Sequence, residues 1–557
     1  MPESFTPKLV TVLRQGYGLA DLRADAVAGL TVAIVALPLA MALGIASGAS
    51  PDKGLVTAVI AGFLISALGG SRMQIGGPTG AFVVVIFNVI AQHGYDGLVL
   101  ATLLAGLILI VAGYARLGKL IRFVPHPVVT GFTAGIAVII ASTQVKDFLG
   151  LPLADVPAEF VPQWLAYFGA LDRIGLATLA IGMGALGLIV GLKRMAPRLP
   201  GYLIAIVAAS LVVALFGLPV DTVGSRFPDI PAGLPTPHIP AITLAKIQAV
   251  MPSAFTIAFL AGIEALLSAV VADGMAGTRH RSNQELVGQG VANIASSLFG
   301  GLPATGAIAR TATNIKAGAK SPLSGMFHAA FLLIFIFFAT DLMAYVPMAA
   351  LAAILFMVAL GMSEYRRVLQ LLRLPGGDRV VLLLTFFLTV MVDLTVAIGV
   401  GVTLASLLFM MRMSEEVQVE GSAEIEADPD RDDELGQRAG LPAGVEVFRI
   451  AGPFFFGVAG ELLDTLRNVG KPPRVIILRL RRVPYLDASG AAAIEQLVRQ
   501  ASRDGTRVIL SAVQRQPLFV LTRAGLGRRT GRVDFAPDYA AALAMAVEDT
   551  EAGAARE

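Results

Sequence analysis

The chain has 557 residues, 55% of them hydrophobic and only 15% charged, with a formal net charge of +3 and a mean hydropathy of +0.74. Such a composition excludes an ordinary soluble enzyme and points to a polytopic membrane protein with a soluble remainder; the small net charge gives no sign of a nucleic-acid partner. There is no cysteine, which excludes disulfides and thiolate chemistry, and the five histidines show no zinc-binding spacing.

Residues 1–25 form a mixed, polar N-terminal segment in which no cleaved signal peptide is expected. From about Ala26 to Met413 the chain breaks into fourteen apolar segments, at 26–47, 53–70, 78–91, 97–114, 127–145, 174–192, 200–217, 253–276, 284–299, 305–318, 322–341, 347–363, 379–394 and 396–412. Lys and Arg cluster before the first segment (Lys8, Arg14, Arg23) and after the even-numbered ones (Arg72; Arg116, Lys119 and Arg122; Lys193, Arg194 and Arg198; Arg279 and Arg281; Lys316 and Lys320; Arg366, Arg367 and Arg373; Arg412). Cytoplasmic loops hold positive charge, so both termini are expected in the cytoplasm, with the chain in the inner (plasma) membrane.

Segments two and three resemble segments nine and ten. Leu55-Val56, twelve residues and Gly69-Gly70 match Leu286-Val287, twelve residues and Gly300-Gly301; Thr79, Gly80 and Ala81 then match Thr305, Gly306 and Ala307. The chain therefore divides into two halves of seven segments, about 26–217 and 253–413, and because seven is odd the second half enters from the opposite side. Each copy is a helix, a break and a half-helix. Broken backbone at membrane depth is tolerated only against protein or a water-filled cavity, so the two breaks are expected to meet near the midplane. The N-terminal end of each half-helix carries orphan N–H groups and a positive dipole end, which attract anions.

Ionisable residues inside apolar segments are functional candidates by default. Glu264, in "AFTIAFLAGIEALLSAVVADGMAG", has apolar neighbours on both sides and Ser268 one turn on; it is a candidate proton carrier, the alternative being a carboxylate satisfied by backbone donors at a break. Arg310 on the second half-helix offers a fixed positive charge, either to the cavity or to carbonyls of the crossing helix. Phe82, Ala81, Ala307 and Ala309 would shape the pocket, and Pro38 is expected to kink the first segment beside it.

After Ser414 the composition turns acidic and Gly/Pro-punctuated, which reads as a short strand and a linker over 414–443. Strand-like "VEVFRI", "RVIILRL" and "TRVILSAV" then alternate with helix-like "AGELLDTLRNV", "SGAAAIEQLVRQAS", "PLFVLTRAG" and "PDYAAALAMAVED", giving a small α/β domain over 444–550. No GxxxxGK[ST] loop occurs, so an ATP-driven pump is not expected, and no cofactor is implied.

Taken together, "DAVAGLTVAIVALPLAMALGIASG", "GGPTGAFVVV", "IEALLSAVVADGMAGTRH", "NQELVGQGVANIASSLFGGLPATGAIARTATNIKAGAKSPLSG" and the terminal α/β domain resemble the SulP family, the prokaryotic relatives of solute carrier family 26, with a C-terminal STAS domain. The resemblance implies a membrane transport domain over 26–413, built as a seven-plus-seven inverted repeat with core and gate domains, an elevator-like movement, a homodimer and no enzymatic activity. By position it implies an anion site of Gly80, Ala81 and Phe82 with Glu264, Ser268, Ala307, Ile308, Ala309 and Arg310. On the residues themselves, Thr79 and Gly306 of the repeated motif join it, with proton coupling at Glu264 and support from Pro38. Sodium-coupled bicarbonate members tend to carry Asp and two Thr where this chain has Glu264, Ser268 and Ile308, which argues against a sodium site. The run "IEALL" with "ADGMAGT" resembles bacterial members that take up C4-dicarboxylates such as fumarate or succinate with protons; sulfate or bicarbonate is the alternative cargo, and an anion channel a further one. In the STAS-like domain "PYLDASG" places Asp487 and Ser489 where related proteins have a regulatory serine, and also where a helix N-cap belongs, the capping role being the preferred reading. The domain is a candidate docking point for a cytoplasmic partner.

Overall fold

The computed structural model describes residues 5–119, 125–153, 156–157, 159–196, 199–228, 233–373, 376–392, 394–415, 417–421, 441–456, 458, 472–526 and 533–554. It forms two compact units, Met1–Ala405 and Ser406–Glu557.

The first unit is helical. In chain order its helices are α1 (Lys8–Arg14), α2 (Leu19–Ala46), α3 (Pro51–Leu68), α4 (Val83–Tyr114), α5 (His126–Leu149), α6 (Phe160–Phe168), α7 (Leu176–Met195), α8 (Gly201–Phe216) and α9 (Val223–Arg226), followed by α10 (Leu244–Ala276), α11 (Ser282–Leu298), α12 (Ile308–Lys316), α13 (Leu323–Met343), α14 (Met348–Met362), α15 (Tyr365–Leu371), α16 (Gly376–Met391) and α17 (Leu394–Glu415). Each of the fourteen expected segments coincides with a helix. The third and fourth share α4, which Gly94 divides with φ 70° and ψ 179°, a conformation outside the helical region that glycine adopts without steric cost. Eight helices among the described residues are long and apolar enough to cross a membrane.

Two helices begin earlier than the apolar runs suggest, because capping side chains carry them into polar sequence. Asp21 accepts the Gly18 N–H at the start of α2, and Thr243 accepts the Lys246 N–H at the start of α10. Pro38 lies buried within α2, which continues through it as one helix.

Helix association inside a bilayer relies on close packing rather than on expulsion of water, and small residues permit it. Where α4 crosses α11, a methyl group on Gly106 would come within 2.6 Å of the Gly290 carbonyl oxygen, and one on Gly290 would strike that of Gly106. Contacts of this kind assemble α2, α3, α4, α10, α11 and α13 into one group, and α5 with α14 and α16 into another.

In the second unit five strands run in the order β3 (Gln418–Gly421), β4 (Val445–Ala451), β5 (Val475–Arg482), β6 (Arg507–Ser511) and β7 (Val533–Ala536). The β3–β4 pair is antiparallel and the others are parallel. Helices α18 (Ala488–Arg503), α19 (Arg515–Arg523) and α20 (Tyr539–Ala554) cover the sheet, so β5 is buried over Val475–Leu480, as a parallel strand covered on both faces should be. The short strand expected after Ser414 is β3. Most of the expected linker (422–440) and the expected helix at 459–469 lie outside the described residues.

Candidate anion site

Both breaks occur where the sequence places them, and they touch. Gly76–Gly77 (β1) pairs antiparallel with Thr305–Gly306 (β2), Gly76 opposite Gly306 and Gly77 opposite Thr305. The direction of this pairing is the one an inverted repeat requires. The Ala307 N–H extends it by donating to the Ile75 carbonyl at 2.8 Å.

Backbone groups opened by a break inside a membrane need partners, and here buried side chains supply them. In the first break, Glu285 Oε2 accepts the Gly70 and Ser71 N–H groups at 2.8 and 2.9 Å, and its Oε1 accepts the Gln289 amide at 2.8 Å. Asn314 Nδ2 donates to the Met73 carbonyl at 2.9 Å, Thr311 Oγ1 accepts the Ile75 N–H at 3.0 Å, and Arg310 Nη2 donates to the Pro78 carbonyl at 2.7 Å. In the second break, Asn293 takes both the N–H and the carbonyl of Ala304 at 2.8 Å. Thr57 Oγ1 accepts the Leu302 N–H at 2.6 Å, and Ser296 Oγ donates to the Leu302 carbonyl at 2.7 Å.

Beside the breaks lies a cavity of about 130 Å³. A cavity needs about 10–15 Å³ of such space to hold one water, so this one holds a small polyatomic anion together with several waters. Its wall includes Glu264, Leu260, Ile263 and Leu267 of α10, Ile308 at the start of α12, His126 and Thr130 of α5, Glu364 and Arg367 around α15, and Ile398 of α17. Thr79 reaches this wall by donating its hydroxyl to Glu264 Oε2 at 2.8 Å.

Of the residues singled out from sequence, Glu264 and Ile308 line the cavity, Thr79 joins through Glu264, and Ala309 is exposed next to Ile308. Ala81 and Phe82 are fully buried in the apolar core, and Ala307 nearly so. Gly80 packs against Met362 and Ile140, and Gly306 is closed over by the Gln74 amide. Arg310 is 2% exposed and does not line the cavity; its guanidinium lies against Gly77 and the Pro78 carbonyl, joining one break to the other. Ser268 is fully buried, with its hydroxyl 3.2 Å from that of Thr311, so it reaches the first break through Thr311.

His126, Thr130, Glu364 and Arg367 were not foreseen as site residues. Arg367 entered only as a flanking charge. The one signal that marks this corner is conformational: Glu364 is a non-glycine residue at φ 41°, and left-handed backbone at a cavity wall is a mark of functional sites.

In the second unit Asp487 is the N-cap of α18, its Oδ1 accepting the Gly490 N–H at 2.7 Å and its Oδ2 the Phe456 N–H at 3.2 Å. Ser489 is exposed on the first turn.

Comparison with known proteins gives this geometry a context. Residues 22–385 match the sulfate permease family and residues 441–542 match the STAS domain. The chain is 41% identical to the putative sulfate transporter YvdB of Bacillus subtilis over 94% of its length and 97% of that protein. It is 32% identical to the bicarbonate transporter BicA of Picosynechococcus, covering 86% of this chain and 87% of that one. The structure of the murine solute carrier 26 family member A9 anion transporter, in the inward-facing state, superposes with a TM-score of 0.86 over 98% of this chain and 94% of that chain; at 17% identity it shows the fold alone. These relatives are named for sulfate and bicarbonate, so the expected likeness to C4-dicarboxylate members is not supported, and the alternative drawn from the same sequence fits better.

Proposed function

The chain belongs to the sulfate permease family and is a membrane anion transporter, and from that premise we propose that its cargo is a small inorganic oxyanion, bicarbonate or sulfate, carried together with protons through Glu264. The observation that carries this reading is the Thr79–Glu264 hydrogen bond on the cavity wall. An ionised carboxylate there repels an incoming anion, while a protonated one does not, so proton and anion favour each other's binding by linkage. Each raises the other's affinity by the same factor.

The start of α12 supplies the attraction. Ile308 opens α12 at the cavity, and the orphan N–H groups of its first turn carry partial positive charge. Arg310, bonded across to Pro78, holds the two breaks as one body, so an elevator-like movement would carry them together.

The reading is tested with the full-length protein in proteoliposomes, measuring uptake of labelled bicarbonate, sulfate and fumarate under an imposed pH gradient for wild type and Glu264→Gln. Bicarbonate or sulfate accumulation that follows the inward proton gradient in wild type and ignores it in Glu264→Gln supports the proposal. Gradient-driven fumarate uptake would restore the dicarboxylate cargo, and uptake indifferent to both gradient and substitution would remove the coupling role of Glu264.

A further inference from the structure

We propose that Arg367 is a second binding station for the transported anion, and that Glu364 is the carboxylate the anion displaces from it. The inference rests on the anion cargo proposed above and adds a second contact to the same cavity. Among the described residues that line the cavity, Arg367 is the one permanent cation. It is paired, through Nη1, with Glu364 Oε2 at 3.0 Å, and both side chains are about half exposed, at 51% and 43%.

Three features make this pair exchangeable. An ion pair so open to water is weak. An oxyanion presents the same acceptor geometry to a guanidinium as a carboxylate does, so it competes for Arg367 on similar terms. The third feature is backbone conformation. Glu364 precedes α15 with φ 41° and ψ 39°, held there as its carbonyl accepts the N–H groups of Arg367 and Val368 at 2.7 and 3.1 Å. Glycine would take that conformation without the strain a β-carbon brings. Glu364 makes no side-chain cap to the helix, so capping does not account for a carboxylate at this position; its side chain is spent on Arg367. His126, on the same wall, is engaged with Thr130 one turn along its own helix at 3.1 Å.

An anion in the cavity thus meets Arg367 already occupied by a tethered competitor. Binding there is weak enough to be brief, and the anion can pass between Arg367 and the half-helix end beside Glu264. Because Glu364 opposes a dianion more than a monoanion, it also biases the station toward singly charged cargo.

The test uses full-length protein in proteoliposomes at a fixed pH gradient, with initial uptake rates of labelled bicarbonate and sulfate measured against concentration. Arg367→Gln should raise KM for both anions about tenfold while leaving the saturating rate within about twofold, and Arg367→Lys should recover most of the loss. Glu364→Gln and Glu364→Gly should lower KM about threefold, more for sulfate than for bicarbonate. An unchanged KM in Arg367→Gln overturns the station. So does a raised KM in both Glu364 variants, since the pair would then be a structural brace. Wild-type protein that takes up neither anion overturns the cargo reading, and with it this inference; that outcome is read before any variant is made.

Discussion

Thr79 donates its hydroxyl to a carboxylate on the wall of the cavity, whereas Thr305, its counterpart in the second half, donates at 2.8 Å to the carbonyl of Ala261 on the same helix, one turn before Glu264. The two copies also sit differently in the ladder. Thr305 is a member of the paired segment, while Thr79 lies two residues beyond its end and is free to turn toward α10. The repeat fixes where the backbone breaks, and the residues of α10 opposite each copy divide the threonines: one meets a carboxylate on the cavity wall, the other a backbone carbonyl.

The anchors differ in the same way. The first break is answered by Glu285, Arg310, Thr311 and Asn314, all from the second half, and the second mainly by Asn293 and Ser296 on its own neighbouring helix. Removing an anchor of the first break should have the largest effect on stability. Glu285→Ala strands two buried N–H groups and the Gln289 amide, and should cost about 3 kcal/mol or more, seen as a lower thermal midpoint of the full-length protein in detergent. A loss under about 1 kcal/mol would mean that water can replace the carboxylate.

The threonines themselves test the division directly. Thr79→Val removes a donor to the ionised Glu264 carboxylate, the form that repels the anion, and should lower KM for anion uptake by about threefold, with little change in thermal midpoint. Thr305→Val should do the reverse, lowering stability by about 1 kcal/mol and leaving uptake per folded molecule unchanged. Matching behaviour in the two variants would erase the distinction. The smallest effect is expected from Ser268→Ala, about 0.5 kcal/mol, because Thr311 still holds the Ile75 N–H. If that variant alters the proton dependence of uptake as strongly as Glu264→Gln does, Ser268 belongs to the site rather than to its support.

Much of this was legible in the chain. Segment lengths and Gly/Pro breaks locate the helices because membrane depth leaves the backbone few options, and Glu264 stands out because a carboxylate in an apolar run is rare. The direction of a long side chain is another matter. Spacing puts Arg310 on the second half-helix but cannot say whether its guanidinium turns to the cavity or to Pro78. Gln74, which closes over Gly306, sits in a short polar stretch where a glutamine attracts no notice. Glu364 and Arg367 lie at a helix junction, where charges are ordinary, and only the backbone conformation of Glu364 sets them apart.

The reach of Arg310 to Pro78 spans 232 positions of sequence. A ribosome adding 5–20 residues per second needs roughly 10 to 50 s to cover that distance. During that interval the first half's break is already synthesised, yet the residues that will satisfy its opened backbone do not all exist. Its break must wait in water, against lipid headgroups or in the care of the insertion machinery, so the order of synthesis bears on this protein's assembly as much as its final contacts do.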